Sequence, residues 1–197
     1  RVWHMAEAGS WPSIKRHGLL STSALLDLFE VDGAEREAIE SRRRAAMVPI
    51  HHPRHGTVWI RDNLPINVTV LRRTLVGMTE AEYYRLLNGR VFFWLRRQRL
   101  EKLLSARAYR DRHHDVLEID TAILVERYGG AVELSHLNSG AVHAGANYPR
   151  GVGTFLPIED YPWRQRLKVN SAEPVVELTV PYAVPDIAEM AVSVTTV

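Results

Sequence analysis

Arg1-Val2-Trp3-His4-Met5 and, shortly after it, Trp11-Pro12-Ser13-Ile14-Lys15-Arg16-His17-Gly18-Leu19-Leu20 decide how this chain is read. The first run is apolar but for one histidine and predicts a strand. The second predicts a short helix: Pro12 sits where a helix has no use for an amide, and Ser10 just before it can cap the exposed N–H groups. Gly18 can take the left-handed conformation that ends the helix. The pair therefore predicts a strand bearing a polar side chain and a helix end that brings backbone close to it. Read alone, a histidine on a strand is a structural residue.

Composition sets the outer bounds. At 197 residues the chain is long enough for one well-buried domain, and we expect a single domain over 1–197. Apolar residues make up 46% and charged residues 24%, which is ordinary for a globular protein that is not inserted in a membrane. There are no cysteines, which excludes disulfides, thiolate metal sites and cysteine nucleophiles and fits a reducing cytoplasm. Net charge is +2, and lysine appears only at Lys15, Lys102 and Lys168, so the basic residues are nearly all arginine. Arginine's fork suits phosphate and base edges, although a GC-rich genome produces the same bias. Arg42-Arg43-Arg44 reads as a solvated helix face.

Further along, helices are predicted from Thr22 to Phe29, from Ala34 to Ala46, from Thr79 to Asn88 with a capping box, after Trp94, and from Thr121 to Tyr128. Strands are predicted at Val58–Ile60, Val91–Trp94, Val116–Ile119, Val132–Ser135 and Pro174–Pro181. Val68 to Leu75 fits either. His51, His52 and His55 crowd one loop, but no further ligand at helical spacing completes a metal site, so no metal is expected. Gly140 to Pro157 reads as a long loop. Short strands interleaved with short helices argue α+β, and neither a Rossmann nor a P-loop fingerprint is present.

Glu177 is the oddity of the closing strand, Val175-Val176-Glu177-Leu178-Thr179-Val180. Alternation sets it with Val175 and Thr179 on one face, where it can simply meet water. Here a family resemblance enters. Trp3-His4 followed by Gly18-Leu19-Leu20 resembles the opening of the DarT ADP-ribosyltransferases. Val176-Glu177-Leu178-Thr179-Val180-Pro181 with Val184-Pro185-Asp186-Ile187 is similar to that family's last strand, which bears the catalytic glutamate. Val91-Phe92-Phe93-Trp94-Leu95-Arg96-Arg97 resembles the strand that leads to its functional arginine; position matches Arg97, with Arg96 as the second choice. Two departures stand out: Gln98-Arg99-Leu100 replaces the family's Ser-Pro-Met, and some sixty additional residues separate the first and second blocks, as in a neighbouring branch.

The resemblance implies an ADP-ribosyltransferase-like split of two small packed β-sheets with peripheral short helices. It implies a glycosyltransferase that uses NAD as substrate and modifies a nucleic-acid base in DNA or RNA, a toxin partnered by an antitoxin or an ADP-ribosyl hydrolase. Breaking the nicotinamide–ribose bond generates a ribosyl cation, so a carboxylate must stand near the ribose, as in glycoside hydrolysis. Glu177 would fill that role and Arg97 would meet the pyrophosphate or orient the glutamate. His4, with Met5 beside it, would set the adenosine ribose, Gly18 and Leu19 would supply nearby backbone, and Trp94 would stack on nicotinamide. Arg61, Asn138 and Ser139 are further candidates for cofactor contact, the last two through a loop that closes over the site. Two other readings are an NAD-using RNA 2′-phosphotransferase of the same fold and a non-catalytic arginine-rich nucleic-acid binding module.

Overall fold

The structure is a computed structural model that describes residues 1–197. In chain order it runs β1 (Val2–Glu7), α1 (Trp11–His17), β2 (Leu19–Leu20), α2 (Thr22–Leu28) and α3 (Gly33–Glu40). There follow β3 (Val48–His52), β4 (Gly56–Ile60), α4 (Val68–Thr74), β5 (Leu75–Val76), α5 (Glu80–Asn88), β6 (Arg90–Trp94) and α6 (Arg97–Leu104). Next come β7 (His114–Ile119), α7 (Thr121–Tyr128), β8 (Glu133–Ser135), β9 (Arg150–Gly151) and β10 (Leu156–Pro157). The chain closes with α8 (Trp163–Val169), β11 (Glu177–Pro181), β12 (Ala183–Val184), α9 (Ile187–Met190) and β13 (Ala191–Thr196). The class is α+β, with one large sheet, several two-stranded ones and short peripheral helices. No helix is long and apolar enough to cross a membrane.

The backbone packs as two compact units. The first comprises residues 1–20, 91–137 and 156–197, and the second residues 21–90 and 138–155. The second unit has its own core and contains the residues that lie between Gly18-Leu19-Leu20 and Val91-Phe92-Phe93-Trp94 in the sequence.

The first unit is built on a seven-stranded sheet in the order β10-β8-β11-β6-β1-β7-β13. Its continuity is uneven. β1 and β7 share six consecutive register pairs, from Val2 opposite Ile119 to Glu7 opposite His114. β1 and β6 share one, Trp3 opposite Trp94. Alternation divides the side chains of β1 and β6 between two apolar layers. Val2, Ala6, Val91 and Phe93 join Leu117, Leu178 and Val180 in the larger cluster. Met5, with Trp3 and Trp94 against it, packs with Leu100, Tyr109 and Val116 on the other side.

The opening helix corrects one expectation and sharpens another. The Ser10 side chain makes no capping bond. Instead the Asp115 carboxylate accepts from the Trp11 N–H at 3.2 Å and from the Thr196 hydroxyl at 2.8 Å, so α1 is capped across the sheet by β7. Gly18 does end the helix with a positive φ of 82°. A Cβ there would stand 2.4 Å from the Pro185 Cα, because β2 pairs with β12 through Leu19 and Val184. Gly18→Ala is therefore expected to cost about 2–4 kcal/mol, from an unfavourable φ and a backbone clash. Chemical denaturation of the variant measures it; a cost within 0.5 kcal/mol (roughly the size of a neutral surface change) would contradict this account.

The second unit has a core of Leu26, Phe29, Ile39, Ile50 and Ile60, formed by α2, α3 and the β3–β4 hairpin. Ser21 caps α2, Asn67 caps α4, and Thr79 with Glu82 forms the expected capping box on α5. Helix α3 stops at Glu40 rather than continuing to Ala46. Beyond it Arg44 is only 8% exposed and its guanidinium turns inward, so Arg42-Arg43-Arg44 is not a solvated helix face. The segment from Gly140 to Pro157 is not a bare loop. β9 pairs in parallel with β5, Val142 bridges Ile66, and the Asn67 N–H donates to the Val142 carbonyl.

Candidate functional site

The first unit holds His4 on β1, Glu177 on β11 two strands away, Arg99 on α6, the helix that follows the strand between them, and Glu173 in the segment before β11. His4 lies where the β1–β6 ladder opens. Its Nδ1 is 2.8 Å from the Phe92 carbonyl, which can only accept, so Nδ1 carries the proton and in the neutral ring Nε2 carries the lone pair. The ring meets Phe93 edge-on at 6.0 Å. Flat-sheet alternation would give His4 the face of Val2 and Ala6, opposite Glu177, but the ring closes on a backbone atom of the next strand. The Phe93 ring that it meets belongs to the same apolar layer as Val2 and Ala6.

Glu177 opens β11, the strand beside β6, and stands opposite Ser135 of β8. It is 4% exposed, so it does not point to water as a half-buried strand would allow. A carboxylate at that depth is costly unless charge or hydrogen bonds compensate it. Part of the compensation is Arg99, whose guanidinium is pushed above its ordinary range first by its bonds to Glu173 and also by the charge of Glu177. Arg99 donates from Nε to Glu173 Oε1 at 2.6 Å and from Nη2 to Oε2. Arg96 adds a weaker contact, Nε 3.7 Å from Glu173 Oε1.

Arg97, the position matched by family resemblance, is not part of this cluster. Its side chain is 63% exposed and pairs with Glu101 one turn along α6 at 3.1 Å. The arginine in the field of Glu177 is Arg99. Counting along the strand misses it because the chain turns helical at Arg97, and in a helix residues 96 and 99 share a face while 97 and 101 share another. The signal was present in the sequence: Arg99 adjoins Leu100, on the apolar side of α6.

The remaining candidates occupy structural positions. Met5 is buried, and Trp94, partly buried, packs into the same apolar cluster. Gly18 and Leu19 form the tight β2–β12 contact. Arg61, Asn138 and Ser139 belong to the second unit. There the Ser139 carbonyl accepts from the buried Tyr83 hydroxyl at 3.0 Å, and the Arg61 carbonyl accepts from Arg44 Nε at 2.9 Å. His52 and His55 stack at 4.8 Å and both rings pack near Phe29. No group of three or more metal-ligating side chains converges anywhere in the chain. An open groove along Gly9, Trp11, Asp115 and β13 includes neither His4 nor Glu177.

The Arg99 bonds also hold the Glu173 carboxyl below the ordinary value of 4.5, so the ionised form is favoured by folding. A folded-state pKa below the unfolded one contributes stability that is complete above the ordinary carboxylate range and lost as pH falls through the lowered value. In Glu173→Gln that part of the acid limb should flatten. Unfolding midpoints of both proteins between pH 7 and pH 3 (roughly the span over which carboxylates titrate) check this; parallel curves would contradict it.

The family described as "Family of unknown function (DUF7002)" matches residues 1–191. No curated protein and no solved structure matches the chain. The match spans nearly the whole sequence and both compact units, and the chain belongs to this family of unknown function.

Proposed function

We propose that the chain is an NAD-dependent mono-ADP-ribosyltransferase whose reaction centre lies in the first unit, with a nucleic-acid base as acceptor. The observation that carries this reading is Glu177: a carboxylate 4% exposed at the head of a sheet strand, in the field of an arginine, with a fixed histidine at the opening two strands away. The near-break between β1 and β6 supports the split-sheet arrangement, since one register pair joins the two halves.

In this reading the His4 Nε2 lone pair accepts from a ribose hydroxyl of the adenosine, in register with its Nδ1 bond to Phe92. Glu177 accepts from the 2′-hydroxyl of the nicotinamide ribose and stabilises positive charge as the C1′–nitrogen bond breaks. Nicotinamide leaves with the bonding electron pair. The acceptor nitrogen or oxygen then forms its bond to C1′ and gives up its proton, for which Glu177 is the adjacent base. Arg99 meets the diphosphate charge. The departure at Gln98-Arg99-Leu100 and the second unit bear on which acceptor is used.

One observation favours a second reading. Arg96 and Arg99 converge on one carboxylate, Glu173, and two convergent arginines are what a 2′-phosphate pocket needs. The placement of Glu177 favours the transferase. The deciding experiment incubates the protein with adenylate-labelled NAD and, separately, DNA, RNA and protein acceptors, with mass spectrometry of the products. A mass gain of one ADP-ribose on a nucleic acid, with free nicotinamide, is expected. Transfer of phosphate from a 2′-phosphorylated RNA with the same protein, and no ADP-ribosyl product, would replace this reading with the second.

A further inference from the structure

Glu173 lies outside every motif noted in the sequence, yet it holds Arg99, whose guanidinium also feels the charge of Glu177. It takes the Nε–Nη2 edge of Arg99 with both its oxygens, a side-on fork in which the guanidinium plane is fixed by two bonds rather than one. Arg99 makes no other hydrogen bond, so its second edge, through Nη1, is unoccupied. Glu173 is itself held. Its N–H donates to Asn170 Oδ1 at 3.1 Å, and the Tyr161 hydroxyl donates to the neighbouring Pro174 carbonyl at 2.6 Å. The Glu173 side chain is 15% exposed and that of Arg99 35%, so the carboxylate is mostly withdrawn from water while the arginine keeps an accessible part. Four residues later the same segment becomes β11 at Glu177.

We propose that Glu173 is a positioning residue: by clamping one edge of Arg99 it presents the other edge, at a fixed place relative to Glu177, to the diphosphate of the substrate. This rests on the transferase reading for the identity of the substrate and deepens it by naming what aims the arginine. An unclamped arginine has a long, rotamer-rich side chain and must be ordered at each binding event. A clamped one is ordered beforehand, and preorganisation is recovered as affinity and rate. Arg96, its Nε 3.7 Å from Oε1 of the same carboxylate, adds positive charge there from beyond hydrogen-bond range and leaves the fork to Arg99.

The sign of one substitution separates positioning from plain electrostatics. Removing a carboxylate beside an anion site should strengthen anion binding if charge alone matters; it should weaken it if Glu173 aims Arg99. The full chain is titrated with inorganic pyrophosphate by calorimetry as wild type, Glu173→Gln, Glu173→Asp and Arg99→Gln, with the Arg99 Nε–H resonance followed by nitrogen-15 NMR. We expect about tenfold weaker binding in Glu173→Gln, recovery of most of it in Glu173→Asp, and at least tenfold loss in Arg99→Gln. The Nε–H signal should persist when pyrophosphate binds and vanish in Glu173→Gln. Equal or tighter binding in Glu173→Gln, or loss of the Nε–H signal on adding pyrophosphate to wild type, overturns the proposal. Nicotinamide release from NAD, measured on the same proteins, tests the transferase reading separately. The pyrophosphate pattern without any turnover of NAD retains the role of Glu173 and removes that reading; turnover with undiminished pyrophosphate binding in Glu173→Gln does the reverse.

Discussion

Glu177→Gln is expected to lower nicotinamide release from NAD by at least about a hundredfold while leaving NAD binding within about threefold of wild type. Glutamine keeps the shape and one acceptor oxygen of the side chain, so a hydroxyl of the substrate can still be held. What it loses is the negative charge that would face the ribosyl cation and the basicity that would take the acceptor's proton. Those two terms act in the transition state and not in the ground state, so they appear in turnover rather than in affinity. Stability should hold or rise, because a carboxylate 4% exposed has lost its hydration and a neutral amide has less to lose. Single-turnover release of labelled nicotinamide, alongside calorimetric titration with NAD, measures both quantities. Turnover within threefold of wild type would remove Glu177 from the chemistry and the transferase reading with it.

Arg44→Ala is expected to destabilise the second unit by about 3–5 kcal/mol. Arg44 is buried and its guanidinium reaches three elements at once: it donates to the Ile39 carbonyl at the end of α3, to the Arg61 carbonyl after β4 at 2.9 Å, and to Asn88 Oδ1 at the end of α5, also at 2.9 Å. Asn88 in turn donates to the Glu40 carbonyl at 2.8 Å. None of the three acceptors is charged. Burial drives the guanidinium down to about 10, partly countered by Asp62, so the cation is stabilised by geometry more than by a counter-ion. Alanine leaves three acceptors unsatisfied and a cavity behind. Hydrogen exchange is the measurement of choice because the two units need not unfold together. Amides of 21–90 should lose protection well before those of 1–20 and 91–137; equal loss throughout would mean the effect is not local.

The elements themselves were largely legible. Thr79 and Glu82 at capping-box spacing marked a helix start, and they make the box. Val91-Phe92-Phe93-Trp94 read as a strand because aromatic and β-branched residues fit a pleated surface, and β6 covers those positions. Ser10 failed as a cap for a reason local sequence cannot carry: the acceptor that takes the Trp11 N–H is Asp115, far along the chain. Arg44 looked like a solvated charge in a run of three because nothing in Arg42-Arg43-Arg44 distinguishes the one that turns inward.

The candidate site divides in the same way. The sequence alone determined which residue types were out of place, a histidine in an apolar opening strand and a glutamate in a closing one, because a polar group in such a run departs from the local pattern whatever surrounds it. It also determined that these strands belong near the two ends of the chain. Only the tertiary structure separated Arg99, which feels the charge of Glu177, from Arg97, which pairs with Glu101, since the two are separated by helical phase and not by composition. Only the tertiary structure brought in Glu173, whose partner is 74 residues away. Local pattern follows from backbone periodicity and is written in neighbouring residues; a fork between distant side chains depends on how elements pack, and no neighbour records it.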